Sequence, residues 1–195
     1  AKYICEMLRT NKGITKLDLA RCNLGVEGAK LIANALNTNC AVEYINLSSN
    51  DIGIDGAPSI RELLSSNTSI KTIDLRNNAL GDSGAIQISE GLIRNQSLTS
   101  IILAGNEIGD ISFIENFKIR NETLKTIDLQ DNYINSDGLI VLSKVLKQLS
   151  PGSLELLVLK GNRVVANSSN GLYTDAGTTA LLQVLESGIN GNLRN

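Results

Sequence analysis

The chain has 195 residues, with 18 basic and 20 acidic side chains for a formal charge of −2, and no His or Trp. A hydrophobic fraction of 42% is enough for a packed core and excludes global disorder, while the near-neutral charge excludes a strong electrostatic footprint for nucleic acid. Without His no side chain titrates near neutrality unperturbed and no imidazole can ligate a metal, and no apolar run approaches the roughly 18–20 residues of a membrane span.

Residues 1–13 align with 29–41 and read as the helical end of a unit. From there one line recurs six times: apolar-x-x-apolar-x-Leu-x-x-Asn/Cys-x-apolar. The first copy is Ile14, Leu17, Leu19, Cys22 and Leu24, the third is Ile70, Ile73, Leu75, Asn78 and Leu80, and the sixth is Leu154, Leu157, Leu159, Asn162 and Val164. Copies start at 14, 42, 70, 98, 124 and 154. They divide the chain into a partial unit 1–13 and repeats 14–41, 42–69, 70–97, 98–123, 124–153 and 154–195. Self-similarity at this period marks a stacked-repeat architecture. The motif resembles that of the leucine-rich repeat family, and a unit of 28 residues with a full helix resembles its ribonuclease-inhibitor-like class. That resemblance implies an α/β fold, a right-handed βα solenoid shaped as a horseshoe, with a parallel sheet on the concave face and helices on the convex face. Members of that class include ribonuclease inhibitor, the sensor regions of NOD-like receptors, the activator of the GTPase Ran and the actin-capping tropomodulins.

Within a unit, Ile73 and Leu75 alternate with Thr72, Asp74 and Arg76, which is strand periodicity. Asn78 then sits where the chain turns, and its amide can both donate and accept for turn backbone groups. A Gly follows the last apolar residue at 25, 53, 81 and 109, with Asn135 in its place in the fifth copy. Gly with Asn as substitute predicts a left-handed backbone. The second Gly, at 28, 56, 84 and 138, follows Glu27, Asp55, Ser83 and Asp137, a pattern that predicts a capped helix start. Pro58 then falls in the first helical turn. Ile32 and Leu36, Ile60 and Leu64, Ile88 and Leu92, and Leu142 and Leu146 share helix faces by their spacing of four. Asn11, Asn39, Asn67, Asn95 and Asn121 precede each new strand by three residues and predict left-handed helix C-termini. Units of this kind bury their apolar faces only by stacking. Neither end has a polar-faced cap, so residues 1–195 read as a single domain that is a fragment of a longer protein.

Two irregularities stand out. Repeat four is two residues short and holds Phe113 and Phe117, which are expected to fill the space left by a shorter helix. Repeat six carries an insertion, Val165–Tyr173, of loop composition, with Tyr173 as a candidate contact residue. Asn67-Thr68-Ser69, Asn95-Gln96-Ser97, Asn121-Glu122-Thr123 and Asn167-Ser168-Ser169 match the glycosylation sequon, but the first three fall in the repeat register, where the fold alone explains the Asn.

No catalytic constellation can be placed. Asp18, Asp74 and Asp128 share one strand position, a spacing that follows the repeat rather than acid–base chemistry. Neither a nucleophile–base–orienter set nor a phosphate-binding glycine loop is present. Cys5, Cys22 and Cys40 are odd in number and show no metal spacing, so free thiols and a cytoplasmic location are expected. The sequence calls for no cofactor, metal, nucleic acid or membrane insertion. It is read as a non-catalytic recognition module binding a protein partner, or another domain of its parent chain, on the concave sheet and turn rim. Outward strand positions put Ile102, Leu156 and Val158 within about 10 Å of one another. Interface energy concentrates in aromatic, Arg and apolar anchors, which selects Tyr44, Arg76, Ile102, Tyr133, Leu156, Val158 and Tyr173, with Lys160 beside them. The resemblance also implies two alternatives. One is a GTPase activator like that of Ran, which would need a rim residue at a nucleotide. The other is a structural role on actin or microtubules, as in tropomodulins.

Overall fold

A computed structural model describes residues 2–118, 121–150, 153–163 and 175–186. Helices and strands alternate: α1 (Lys2–Thr10), β1 (Lys16–Asp18), α2 (Gly25–Leu36), β2 (Tyr44–Asn46), α3 (Gly53–Ser66), β3 (Thr72–Asp74), α4 (Gly81–Leu92), β4 (Ser100–Ile102), α5 (Phe113–Lys118), β5 (Thr126–Asp128), α6 (Ser136–Gln148), β6 (Leu156–Val158) and α7 (Ala176–Glu186). The six strands form one parallel sheet in chain order. Each pairs with the next without slippage, so Leu17, Ile45, Ile73, Ile101, Ile127 and Leu157 make one row across it. The sheet stays open, and successive helices line its other side: a βα solenoid.

The core is a set of such rows. Leu19, Leu47, Leu75, Leu103 and Leu129 are buried, whereas Leu159, in the unit that ends the sheet, is only partly covered. From the helix side Ile32, Leu36, Ile60, Leu64, Ile88, Leu92, Leu142 and Leu146 close the interior. A strand of three residues cannot bury enough apolar surface by itself, so each unit borrows the walls of its neighbours.

The glycines divide their roles differently from the expectation. Gly25, Gly53 and Gly81 are left-handed, with φ of 57°, 62° and 58°, and the helices begin there rather than at the second glycine. Glu27 and Asp55 therefore lie in first turns, the residues before the helices make no side-chain cap, and Pro58 lies inside α3 beyond its first turn. The second glycine answers to packing. A Cβ at Gly28, Gly56, Gly84 or Gly138 would meet the side chain of Leu24, Ile52, Leu80 or Ile134 at 2.5–3.0 Å.

Gly109 and Asn135 depart from the left-handed expectation. At Gly109, Asp82 Oδ1 accepts the N–H groups of Gly109 and Asp110 at 2.7 and 2.9 Å, which holds the turn in another shape. Asn135 is extended (φ −109°, ψ −172°) and caps α6 by accepting the N–H of Gly138. In the short fourth unit α5 has six residues, and Ile111, Phe113 and Ile114 are buried, so Phe113 is the filler that the shortened unit needs. The side chain of Phe117 and the segment Val165–Tyr173 lie outside the described residues.

The Asn residues before the strands are not left-handed; Asn67 is extended at φ −75°, ψ 133°. Their side chains turn inward instead. Asn67 Nδ2 donates to the carbonyls of Leu36 and Asn39, while its Oδ1 accepts the N–H groups of Ser69 and Ile70. Asn39, Asn95 and Asn121 repeat the pattern. A second ladder runs through Asn50, Asn78, Asn106, Asn132 and Asn162 at the other end of the strands. In it each Oδ1 accepts N–H groups of the preceding unit. Cys22 opens this ladder and donates weakly to the Ala20 carbonyl. Two polar seams thus satisfy backbone groups that a stack of tight turns would otherwise orphan.

Candidate functional site

The sheet face turned away from the helices is built from two strand positions and one just beyond. Pairing aligns Lys16, Tyr44, Thr72, Ser100, Thr126 and Leu156 in one row and Asp18, Asn46, Asp74, Ile102, Asp128 and Val158 in the next. In the second row the acidic and amide side chains serve the backbone. Asp18, Asn46, Asp74 and Asp128 each accept, through Oδ1, the N–H two residues ahead, at 2.9–3.0 Å. Asn46 separates Asp18 from Asp74, and Ile102 separates Asp74 from Asp128. The carboxylates close strand ends and do not form a pair for acid–base work.

Asp74 is the exception in its second role. It is buried to 3% exposure beneath Arg76, whose Nε donates to Oδ2 at 2.9 Å and whose second guanidine nitrogen lies 2.8 Å from the same oxygen. Arg76 keeps nearly half of its side chain in solvent. Its neighbours across the turn row are Ser48 and Ala104, both small and buried, so the guanidinium stands above its surroundings with its fork fixed. The hydrogen bond to Asp74 holds the Arg76 pKa above its ordinary value, with burial opposing and the charges of Asp74 and Asp128 adding. Tyr44, on the adjoining strand, is also pushed up, first by burial and then by the carboxylates of Asp74 and Asp18, with Arg76 opposing.

The structure therefore brings Tyr44, Arg76 and Ile102 onto one face, with Ile102 beside Asp74 in the register. Leu156, Val158 and Lys160 belong to the last strand and the turn after it, two strands from Ile102. Leu156 is exposed and Val158 half-buried, but Asp128 lies between Ile102 and Val158, so the apolar residues do not make a continuous patch. Tyr133 is not on the sheet. It sits in the turn after Asn132, exposed, with the Arg163 guanidinium 4.3 Å from its ring centre, a cation–π contact. Tyr173 lies outside the described residues.

Sequence reasoning missed Asp74 as the support of Arg76 and Arg163 as the partner of Tyr133. Asp-x-Arg at strand spacing was the available signal for the first, since residues two apart share a face. The second pair, 30 residues apart, had none.

On the helix side the short fourth unit leaves a cleft of about 410 Å³ lined by Asp82, Gly109, Asp110, Asn135, Asp137, Gly138 and Val141. Among the described residues, no group of three or more His, Cys, Asp or Glu side chains could hold a metal ion. Cys5, Cys22 and Cys40 are free thiols. No helix among the described residues is long and apolar enough to cross a membrane.

A stack of βα units with an inner leucine row and an Asn-bearing turn defines a solenoid class of repeat protein. The chain belongs to the leucine-rich repeat family, whose model, described as Leucine Rich repeat, matches residues 10–33, 38–60, 66–89, 94–111 and 120–143. The unit length and the helix in each unit are those of the ribonuclease-inhibitor-like class. No curated protein matches the chain by sequence. Among solved structures it is similar to the C-terminal domain of tropomodulin from Caenorhabditis elegans, with a TM-score of 0.62 and 14% identity over 75% of this chain and 91% of that one. It is also similar to leiomodin-1 actin-binding site 2, with a TM-score of 0.63 and 18% identity over 74% of this chain and 86% of that one. At these identities the likeness is one of fold.

Proposed function

We propose that this chain is a non-catalytic recognition module that holds a protein partner against the open sheet face and the adjoining turn rim. The observation that carries this reading is the Tyr44–Asp74–Arg76 cluster. A guanidinium already locked on a buried carboxylate loses little freedom when it is bound, and Tyr and Arg are the side chains in which interface energy concentrates. Ile102 supplies an apolar neighbour, Leu156, Val158 and Lys160 extend the face towards its far end, and Tyr133 belongs to the rim. Arg76→Ala combined with Ile102→Ala, Leu156→Ala and Val158→Ala should abolish capture of proteins that the unaltered chain retains, with the circular dichroism unchanged. A control with Lys30→Ala and Glu62→Ala on the helices should retain them. Equal capture by both variants would reject this face.

A second reading rests on the neighbour named as an actin-binding site of leiomodin-1: actin itself is the partner. Co-sedimentation with actin filaments and binding to monomeric actin test it directly. A signal in either assay that the sheet-face variant loses would join the two readings. A signal that persists in the variant would move actin to another surface.

A further inference from the structure

We infer that folding of this chain and N-glycosylation of its sequons at Asn67, Asn95 and Asn121 exclude each other, and that the solenoid is therefore built for a compartment without oligosaccharide transfer to Asn. The sequon residues Asn67, Asn95 and Asn121 are 5%, 3% and 1% exposed. All belong to the ladder that joins each helix end to the next strand. Each commits both Nδ2 protons: Asn67 to Leu36 and Asn39, Asn95 to Leu64 and Asn67, Asn121 to Leu92 and Asn95, at 2.7–3.4 Å. Each Oδ1 accepts two backbone N–H groups of the following turn. An Asn side-chain amide has only these two donors.

Transfer of an oligosaccharide from its lipid pyrophosphate forms a bond between sugar C1 and Nδ2. One Nδ2 proton and the lipid pyrophosphate leave, and a single N–H remains. A buried carbonyl then loses its donor, and a bulky, solvated group must occupy a site with no opening to water. The hydroxyls that complete the sequons are part of the same seam. Ser69 Oγ donates to the carbonyl of Val42, Ser97 Oγ to that of Asn67, and Thr123 Oγ1 bonds Asn121 Oδ1. The pattern that the transferase reads and the pattern that closes the repeat are thus the same residues. An unfolded chain presents all three sites, and the folded chain presents none.

The test uses the whole chain, made in the cytosol of a eukaryotic cell and, in parallel, behind a cleavable secretory leader. Ser48→Ala and Ser169→Ala are present throughout to silence the sequons at Asn46 and Asn167, Ala already standing at the position of Ser48 in two other units (Ala20 and Ala104). Glycan occupancy is mapped by mass spectrometry and the folded fraction is measured as resistance to trypsin. Secretory chain should carry glycans at Asn67, Asn95 or Asn121, and its folded fraction should fall at least about tenfold below that of cytosolic chain, because a molecule with a bulky, solvated glycan in this sealed seam cannot close the repeat. Ser69→Ala, Ser97→Ala and Thr123→Ala together should restore resistance in the secretory route. If that variant does not fold in the cytosol, the Ser48→Ala/Ser169→Ala chain made with tunicamycin, which blocks synthesis of the lipid-linked donor, supplies the same comparison. Trypsin-resistant chain bearing a glycan at any of the three Asn residues would overturn the inference. So would unmodified secretory chain that folds as well as cytosolic chain, because the compartment would then make no difference.

Discussion

Asn78 shows how much one side chain carries in this fold. Its Nδ2 reaches the carbonyls of Leu47, Leu75 and Arg76, and its Oδ1 accepts the N–H groups of Asn50 and Ile52. Asn78→Ala leaves those two N–H groups buried without an acceptor, at about 1–3 kcal/mol each, so urea unfolding should show a loss of about 2–6 kcal/mol. Cys22→Ala, at the exposed head of the same ladder, removes one weak sulfur contact and should cost under about 1 kcal/mol. Tyr44 offers a second measurement. Its pKa is raised from an ordinary 10.0, with Asp18 among the causes. Asp18→Asn should therefore lower the midpoint of its alkaline absorbance titration, read against Tyr44→Phe. Because the folded value is the higher one, Tyr44's contribution to stability is intact below the ordinary value and is lost as pH rises through the folded value. The repeat register located Asn67 and Asn78 but not their hydrogen bonds, because partners that lie about 28 residues away are set by stacking.

At the scale of one element, the starts of α2, α3 and α4 each contain two glycines held by different physics. Gly53 is left-handed with open space around its missing Cβ, whereas a Cβ on Gly56 would lie 2.5 Å from Ile52 Cγ2. Gly53→Ala should cost about 1–2 kcal/mol through the backbone, and Gly56→Ala about 1–3 kcal/mol through overpacking. Ile52→Ala separates them. Added to Gly56→Ala it should recover part of the loss, and added to Gly53→Ala it should recover none, as thermal unfolding in a double-mutant cycle would show. Local pattern placed these glycines correctly but assigned the helix start to the second one. Spacing alone does not distinguish a residue chosen for its φ from one chosen for its lack of a Cβ.

Across the molecule, stability is a sum over units and the contacts between neighbours. The fourth unit is the weak member, since α5 offers six residues where α4 has 12 and α6 has 13. Phe113 and the Asp82 clamp on Gly109 and Asp110 compensate. Hydrogen exchange should show amides of α5 losing protection before those of α3. Phe113→Ala should cost about 3–5 kcal/mol and split the unfolding transition in two, with the units on either side of α5 melting separately.

Period, strand register, the leucine row and the helix faces were all readable in residue order, because a stack repeats its local geometry and each unit makes the same demand on its residues. The alignment of Tyr44, Arg76 and Ile102 on one face follows from that register as well. Tertiary structure alone settled that Asp74 is buried beneath Arg76, that Tyr133 stacks with Arg163, that Asp128 interrupts the apolar row, and that the Asn residues before the strands bridge units. Each of these depends on how neighbouring units approach one another, and that distance is fixed by the volumes packed between them.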